Sequence, residues 1–124
     1  MSVDTHNMHA ILCRFAQDWT EAHALAAEQL ASWRPQESIL HVVVAGMGGS
    51  AIGGDLLRAY LYDRISVPIF VCRHYTLPAF VGPHTLVCIS SYSGQTEETL
   101  SAYEEAIARK AQVVVTTSGG TAAD

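Results

Sequence analysis

The sequence predicts an α/β fold, a doubly wound three-layer αβα sandwich around a parallel sheet, preceded by one long amphipathic helix. Three observations carry this. Short runs of almost continuous apolar residues recur, segments of helical period alternate with them, and glycine- or serine-rich turns follow them. Strands that are apolar throughout are buried on both faces, which is the mark of a parallel sheet covered by helices on either side.

The first element is helical. Ile11, Phe15, Trp19, Ala22, Ala26, Leu30 and Trp33 recur at spacings of three or four, which predicts one amphipathic helix over residues 7–33, ended by Pro35. Its two tryptophans lie on one stripe, a face suited either to the body of the domain or to a second copy of the chain. Residues 40–45 then read as a buried strand, followed by the turn Gly46-Met47-Gly48-Gly49. Residues 50–62 form the next helix, with Ile52, Leu56, Leu57, Tyr60 and Leu61 expected inward.

A second strand covers residues 67–72, and a long connection runs through Arg73, His74, Tyr75, Thr76, Leu77 and Pro78 to Pro83. The third strand is 85–90. Residues 95–110 read as a helix with Leu100, Tyr103, Ala106 and Ile107 on one face. Glu97 and Glu98 fall in its first turn and Arg109 and Lys110 in its last, as the helix dipole favours. The fourth strand is 112–117. The chain thus divides into an N-terminal helix, 1–36, and an α/β domain, 37–124. Ser118-Gly119-Gly120 should open a further helix, yet the sequence ends at Asp124. A sheet left there has a bare edge and lacks one cover, so the domain is expected to be incomplete.

The composition narrows the function. The chain has 124 residues, 49% hydrophobic and 15% charged, enough for one globular domain and far from disorder. A net charge of −5 with only seven basic residues excludes a nucleic-acid footprint. An anionic ligand must therefore be held by backbone N–H groups and hydroxyls. No apolar run is long enough to span a bilayer, and no signal peptide is evident, so no membrane partner is expected. Cys13, Cys72 and Cys88 lack metal-ligand spacing, and Cys72 and Cys88 lie in apolar runs; inert thiols in a reducing cytoplasm fit best. No metal or other cofactor is expected.

Two loops carry chemistry. In an open parallel sheet, ligands bind outside the carboxyl ends of the strands, where strand order reverses. Gly46-Met47-Gly48-Gly49-Ser50 and Ser91-Tyr92-Ser93-Gly94-Gln95-Thr96 both leave such ends and both lead into helices. Glycine lets the backbone aim its N–H groups at a ligand, and a helix start adds positive partial charge. The candidate phosphate-binding residues are Gly48, Gly49, Ser50, Ser91, Ser93 and Thr96. The plainer role for the hydroxyls is N-capping and loop hydrogen bonding.

Other chemistries fit less well. Gly46-x-Gly48-x-x-Ala51 matches a dinucleotide fingerprint, but no acid ends the second strand, so only an NADP preference through Arg73 could follow. Ser93 lacks the glycine two residues before it that a nucleophile elbow needs, since position 91 is serine. Of the six histidines, only His74 follows a strand at the ligand-facing edge, and an ordinary loop histidine is its plainer role.

At these loops the sequence resembles a known family. Residues Gly46-Met47-Gly48-Gly49-Ser50-Ala51-Ile52-Gly53-Gly54-Asp55-Leu56 look like the opening signature of the bifunctional phosphoglucose/phosphomannose isomerases, members of the sugar isomerase (SIS) domain superfamily. Ser91-Tyr92-Ser93-Gly94-Gln95-Thr96-Glu97-Glu98-Thr99 resembles their second phosphate loop, where asparagine is common at Gln95. The Arg73 to Pro78 segment and Thr117-Ser118-Gly119-Gly120 are similar too, although an acid is usual at His74 and a lysine at Thr121. The resemblance implies a five-stranded SIS sheet and phosphate held by Gly49, Ser50, Ser91, Ser93 and Thr96. It also implies a homodimer, and interconversion of glucose or mannose 6-phosphate with fructose 6-phosphate through an enediol. The family's carboxylate base, histidine and enediolate-steadying arginine stand further along a chain more than twice as long, so no catalytic residue is carried over here. A non-catalytic sugar-phosphate-binding SIS module, as in regulators, is the competing expectation.

Overall fold

The computed structural model describes residues 4–119. The chain separates into two compact units, one up to Arg34 and one from Pro35. The first holds helix α1, Met8–Gln29. The Asp4 carboxylate accepts the N–H groups of Met8 (2.7 Å) and His9 (3.0 Å), satisfying two orphan donors at the positive end of the helix dipole. The expected helix to residue 33 stops short. After Gln29 the chain turns: the Ala31 N–H donates to Glu28 O (3.3 Å), the Trp33 N–H to Leu30 O (3.0 Å), and the Arg34 guanidinium to the carbonyls of Ala31 (2.9 Å) and Trp33 (2.7 Å) beyond the helix. The predicted apolar stripe is present, and no residue of α1 is buried.

The second unit follows the order β1 (His41–Gly46), α2 (Gly49–Tyr60), β2 (Ile69–Cys72), β3 (Thr85–Ser91), α3 (Glu97–Ala108) and β4 (Gln112–Thr117). All pairings are parallel and the strand order is β2-β1-β3-β4, the doubly wound arrangement expected from the apolar runs. Four strands are present among the described residues. The expected continuation of the third turn into another helix, at Gly120 and beyond, lies outside them.

The two helices cover opposite faces. Val43, Ala45, Val87 and Ile89 gather with Ala102 and Ala106 of α3, and Leu77 and Val81 of the 73–84 connection close the same core. Val44 and Val71 face α2, where Gly54 lies against them. Here the predicted inward face of α2 is corrected. Its buried residues are Ala51 and Gly54, whereas Ile52, Leu56, Leu57 and Tyr60 are exposed and Leu61 is half-buried. The helix approaches the sheet through its smallest residues, so its backbone sits where larger side chains would not fit. In α3 the buried positions are Thr99, Ala102 and Ala106; Leu100 and Tyr103 are half-buried and Ile107 is exposed.

The carboxyl end of α3 departs from expectation in a small way. Arg109 and Lys110 lie just beyond the helix, not in its last turn. Lys110 takes a left-handed φ of 58°, and the Ala111 and Lys110 N–H groups return to the carbonyls of Ala106 and Ile107, a Schellman-type closure. Arg109 is thereby placed to donate to Pro78 O (2.8 Å) and to Glu105 (2.6 Å), whose other oxygen accepts the Leu77 N–H (2.6 Å). Ser101 Oγ adds a bond to Tyr75 O at 2.9 Å. This network fastens the strandless 73–84 connection to α3. Glu105→Ala should strand the N–H of buried Leu77 and cost about 1–3 kcal/mol in chemical denaturation; an unchanged midpoint would show that water takes the carboxylate's place.

The three cysteines are free thiols, Cys13 exposed and Cys72 buried. Burial pushes the Cys88 thiol pKa above its ordinary value, so its nucleophilic thiolate form is suppressed.

Candidate anion-binding site at the strand-order reversal

Strand order reverses between β1 and β3. The chain leaves β1 toward β2 on one side and leaves β3 toward β4 on the other. The two strands are hydrogen-bonded neighbours, with Gly46 opposite Ser90 at their carboxyl ends. The glycine turn and the hydroxyl loop therefore emerge side by side on one edge, the position at which doubly wound sheets receive ligands.

Close approach explains the first glycine. A Cβ on Gly46 would stand 2.8 Å from Ser90 O and 3.3 Å from Ser50 Cβ, so only glycine lets β1, Ser50 and the end of β3 converge. Gly48 caps α2 with φ 52° and ψ −125°, outside the ordinary range of L side chains. Above Gly48 and Gly49 the space is open, and a Cβ on either would meet nothing within 4 Å. The N–H groups of Ser50 and Ala51 are tied to Met47 O and Gly48 O, while those of Gly48 and Gly49 have no partner among the described residues. The turn presents free donors at a helix start.

The second loop is organised by its own hydroxyls. Ser91 is 2% exposed, and its Oγ accepts the Gly94 N–H (3.0 Å) and lies 3.3 Å from Thr96 Oγ1. It serves inside the loop, beneath the surface. Ser93 is exposed; its Oγ accepts the Gln95 N–H at 3.2 Å, which leaves its O–H free to donate outward. Thr96 is the N-cap residue of α3 and makes no side-chain capping bond, its hydroxyl being turned to Ser91. Thr99, one turn into α3, is buried and its Oγ1 has no partner among the described residues.

The charges near the loops are acidic. Glu98 and Glu97 raise the pKa of the Tyr75 hydroxyl above its ordinary value, Glu98 most strongly, so the first turn of α3 shares its surroundings with the 73–84 connection. Neither loop holds a cation. Arg73, just past β2, is ion-paired with Asp55, which also receives Arg58 at 3.4 Å. The cation that an NADP phosphate would need is already engaged. His74 is exposed beside it. No group of three His, Cys, Asp or Glu side chains suited to a metal ion occurs among the described residues, and no described helix is long and apolar enough to cross a membrane.

Sequence reasoning named the 117–120 loop without foreseeing that its residues 117–119 pack on the hydroxyl loop. The N–H of Ser118 donates to Tyr92 O at 3.2 Å, and Ser118 Oγ donates to the same carbonyl. The resemblance of Thr117-Ser118-Gly119-Gly120 to a family loop was the available signal. A cleft of about 300 Å³ at the opposite end of the sheet is lined by Leu61, Ile65, Val67, Pro68 and Arg58. Tyr62 and Ser66 also line it, and Arg58 is turned to Asp55.

The fold and these loops define a doubly wound α/β protein with a glycine turn and a hydroxyl loop, neither holding a cation, side by side at the reversal of strand order. Comparison with known proteins finds similar sequences and a similar solved structure. The chain is 55% identical over 84 residues to the bifunctional phosphoglucose/phosphomannose isomerase of Caldicellulosiruptor bescii, covering 68% of this chain and 25% of that protein. It is 49% identical over 80 residues to proteins of the same name from Thermoplasma acidophilum and Aquifex aeolicus, covering 64% of this chain and 25% of each. A solved Bacillus subtilis structure, named as a candidate phosphosugar isomerase, superposes with a TM-score of 0.58 at 27% identity over 75% of this chain and 29% of that one. No family model matches. By sequence, the chain is a relative of the bifunctional phosphoglucose/phosphomannose isomerases, and it spans about a quarter of the length of the curated relatives it matches.

Proposed function

We propose that this chain is the SIS-type sugar-phosphate-binding part of a glucose-6-phosphate/mannose-6-phosphate isomerase, acting on hexose 6-phosphates in the cytoplasm as a homodimer. The observation that carries this is the parallel pairing of β1 with β3, which sets the glycine turn beside the hydroxyl loop at the reversal of strand order. The phosphate would take the free N–H groups of Gly48 and Gly49 and the hydroxyls of Ser50, Ser93 and Thr96, with Ser91 holding the loop from beneath. Two helix starts, α2 and α3, supply the positive partial charge that the absent cations do not.

Isomerisation moves a proton between C1 and C2 and needs a positioned base, with a second group for ring opening. Neither loop offers a base facing the open space, and the acids Glu97 and Glu98 belong to the first turn of α3. Binding of the phosphate end is the part assigned to this chain. The proton-transfer groups are assigned to the remaining three quarters of the length of its relatives.

Calorimetric titration with fructose 6-phosphate, alongside an isomerase assay of the same purified chain, tests this. Binding without turnover is expected, and Ser93→Ala should weaken binding by about 1.5–3 kcal/mol through loss of one charge-assisted hydrogen bond. Absence of binding, or unchanged affinity in Ser93→Ala, would refute the phosphate site. Turnover by the chain alone would refute the division of labour. Stabilisation by NADPH in place of the sugar phosphate would point to the dinucleotide alternative.

A further inference from the structure

The 117–119 segment does more than terminate β4. Register carries it to the hydroxyl loop, since β3 and β4 pair as far as Ser91 opposite Thr117. Beyond that pair three features lock the two loops together. Ser118 places both its N–H and its hydroxyl on the single carbonyl of Tyr92. Thr117 Oγ1 folds the segment on itself, donating to Gly119 O at 2.6 Å and accepting the Gly119 N–H at 3.2 Å. Gly94, at φ 66°, lies so near that a Cβ would overlap the Gly119 carbonyl oxygen and stand 2.9 Å from Thr117 Oγ1.

The chemistry of the peptide unit gives this a direction. A trans peptide is planar, and its C=O and N–H point opposite ways. The Tyr92 carbonyl shares its plane with the N–H of Ser93. Tying that carbonyl to Ser118 therefore turns the Ser93 N–H away from the third loop, and this N–H has no partner among the described residues. Tyr92 and Ser93 are both exposed, so packing does not fix this plane. The two bonds from Ser118 do.

We infer that Ser118 is a positioning residue of the anion site: by holding the Tyr92 carbonyl it orients the Tyr92–Ser93 peptide and so aims the Ser93 N–H and hydroxyl at the bound phosphate. The inference rests on the proposed phosphate site and adds to it the support of a third loop. Ser118→Ala keeps the backbone bond and removes the hydroxyl bond; Ser118→Thr restores it.

The test compares the parent chain, Ser118→Ala and Ser118→Thr in two measurements. The first needs no ligand: amide hydrogen exchange at Gly94, whose N–H is bonded to Ser91 Oγ inside the loop. The second is calorimetric affinity for fructose 6-phosphate, with inorganic phosphate as a second probe. Ser118→Ala is expected to speed Gly94 exchange and to weaken both ligands about threefold to tenfold, with the thermal midpoint unmoved and Ser118→Thr restoring both. Parent-like exchange and affinity in Ser118→Ala would overturn the positioning role. Should the parent chain bind neither ligand, the phosphate site itself fails, and the Gly94 exchange rates still decide whether Ser118 holds the loop.

Discussion

Replacing Gly94 by alanine should destabilise the chain by about 2–5 kcal/mol and abolish anion binding. The figure has two parts. A left-handed φ costs an L side chain about 1–2 kcal/mol, and forcing a methyl group into a filled space costs about 1–3 kcal/mol more. Gly94 meets both conditions, with φ 66° and the Gly119 carbonyl carbon 2.9 Å from where the methyl would stand. What it strikes is backbone, which cannot swing aside as a side chain could. Urea denaturation measures the loss. An unfolding free energy within about 0.5 kcal/mol of the parent would mean that the hydroxyl loop is not packed against 117–119.

The second large effect is expected on the other face of the sheet. Gly54→Leu should cost about 3 kcal/mol or more, a large share of the roughly 5–15 kcal/mol that holds an ordinary domain together. A Cβ at position 54 already stands 2.9 Å from Val44 Cβ and Cγ1 and 3.2 Å from Val71 Cγ2. Both valines belong to strands, so α2 itself has to lift. Gly53 supplies the control. Nothing lies within 4 Å of a Cβ there, and Gly53→Ala should stabilise by about 0.5–1 kcal/mol through helix propensity alone. Equal effects at the two positions would contradict the close approach of α2 to the sheet.

The contrast between these neighbouring glycines shows what the sequence could and could not convey. The strands were legible because parallel strands are apolar throughout, and β4 falls on the residues its run of valines marks. The two loops were legible because glycine and hydroxyl residues cluster where strands end, and parallel pairing brings them to one edge. The face of α2 was not. Periodicity counts large apolar residues, so it points to Ile52, Leu56 and Tyr60, while the helix packs through Ala51 and Gly54. A small residue carries no hydropathy signal for close approach. The early end of α1 was hidden for another reason, since the turn beyond it is held by backbone bonds and by Arg34 reaching back to carbonyls. The bond from Ser118 to Tyr92 joins residues far apart in sequence, and local pattern holds no trace of it. Ser91 illustrates the limit within the site: its residue type marked it as a donor for a ligand, and its burial commits it to the loop.

The strands that bear the two loops are not consecutive. Val43 of β1 pairs with Val87 of β3, while β2, made between them, is set on the outer edge. Contacts across so long an intervening segment are non-local, and parallel pairing of this kind is intrinsically slow to form. During synthesis, the glycine turn emerges well before the strand that will stand beside it. Until β3 has cleared the ribosome, Gly46 has no Ser90 to meet, and an amino-terminal stretch halted before β3 holds the glycine turn with no hydroxyl loop beside it.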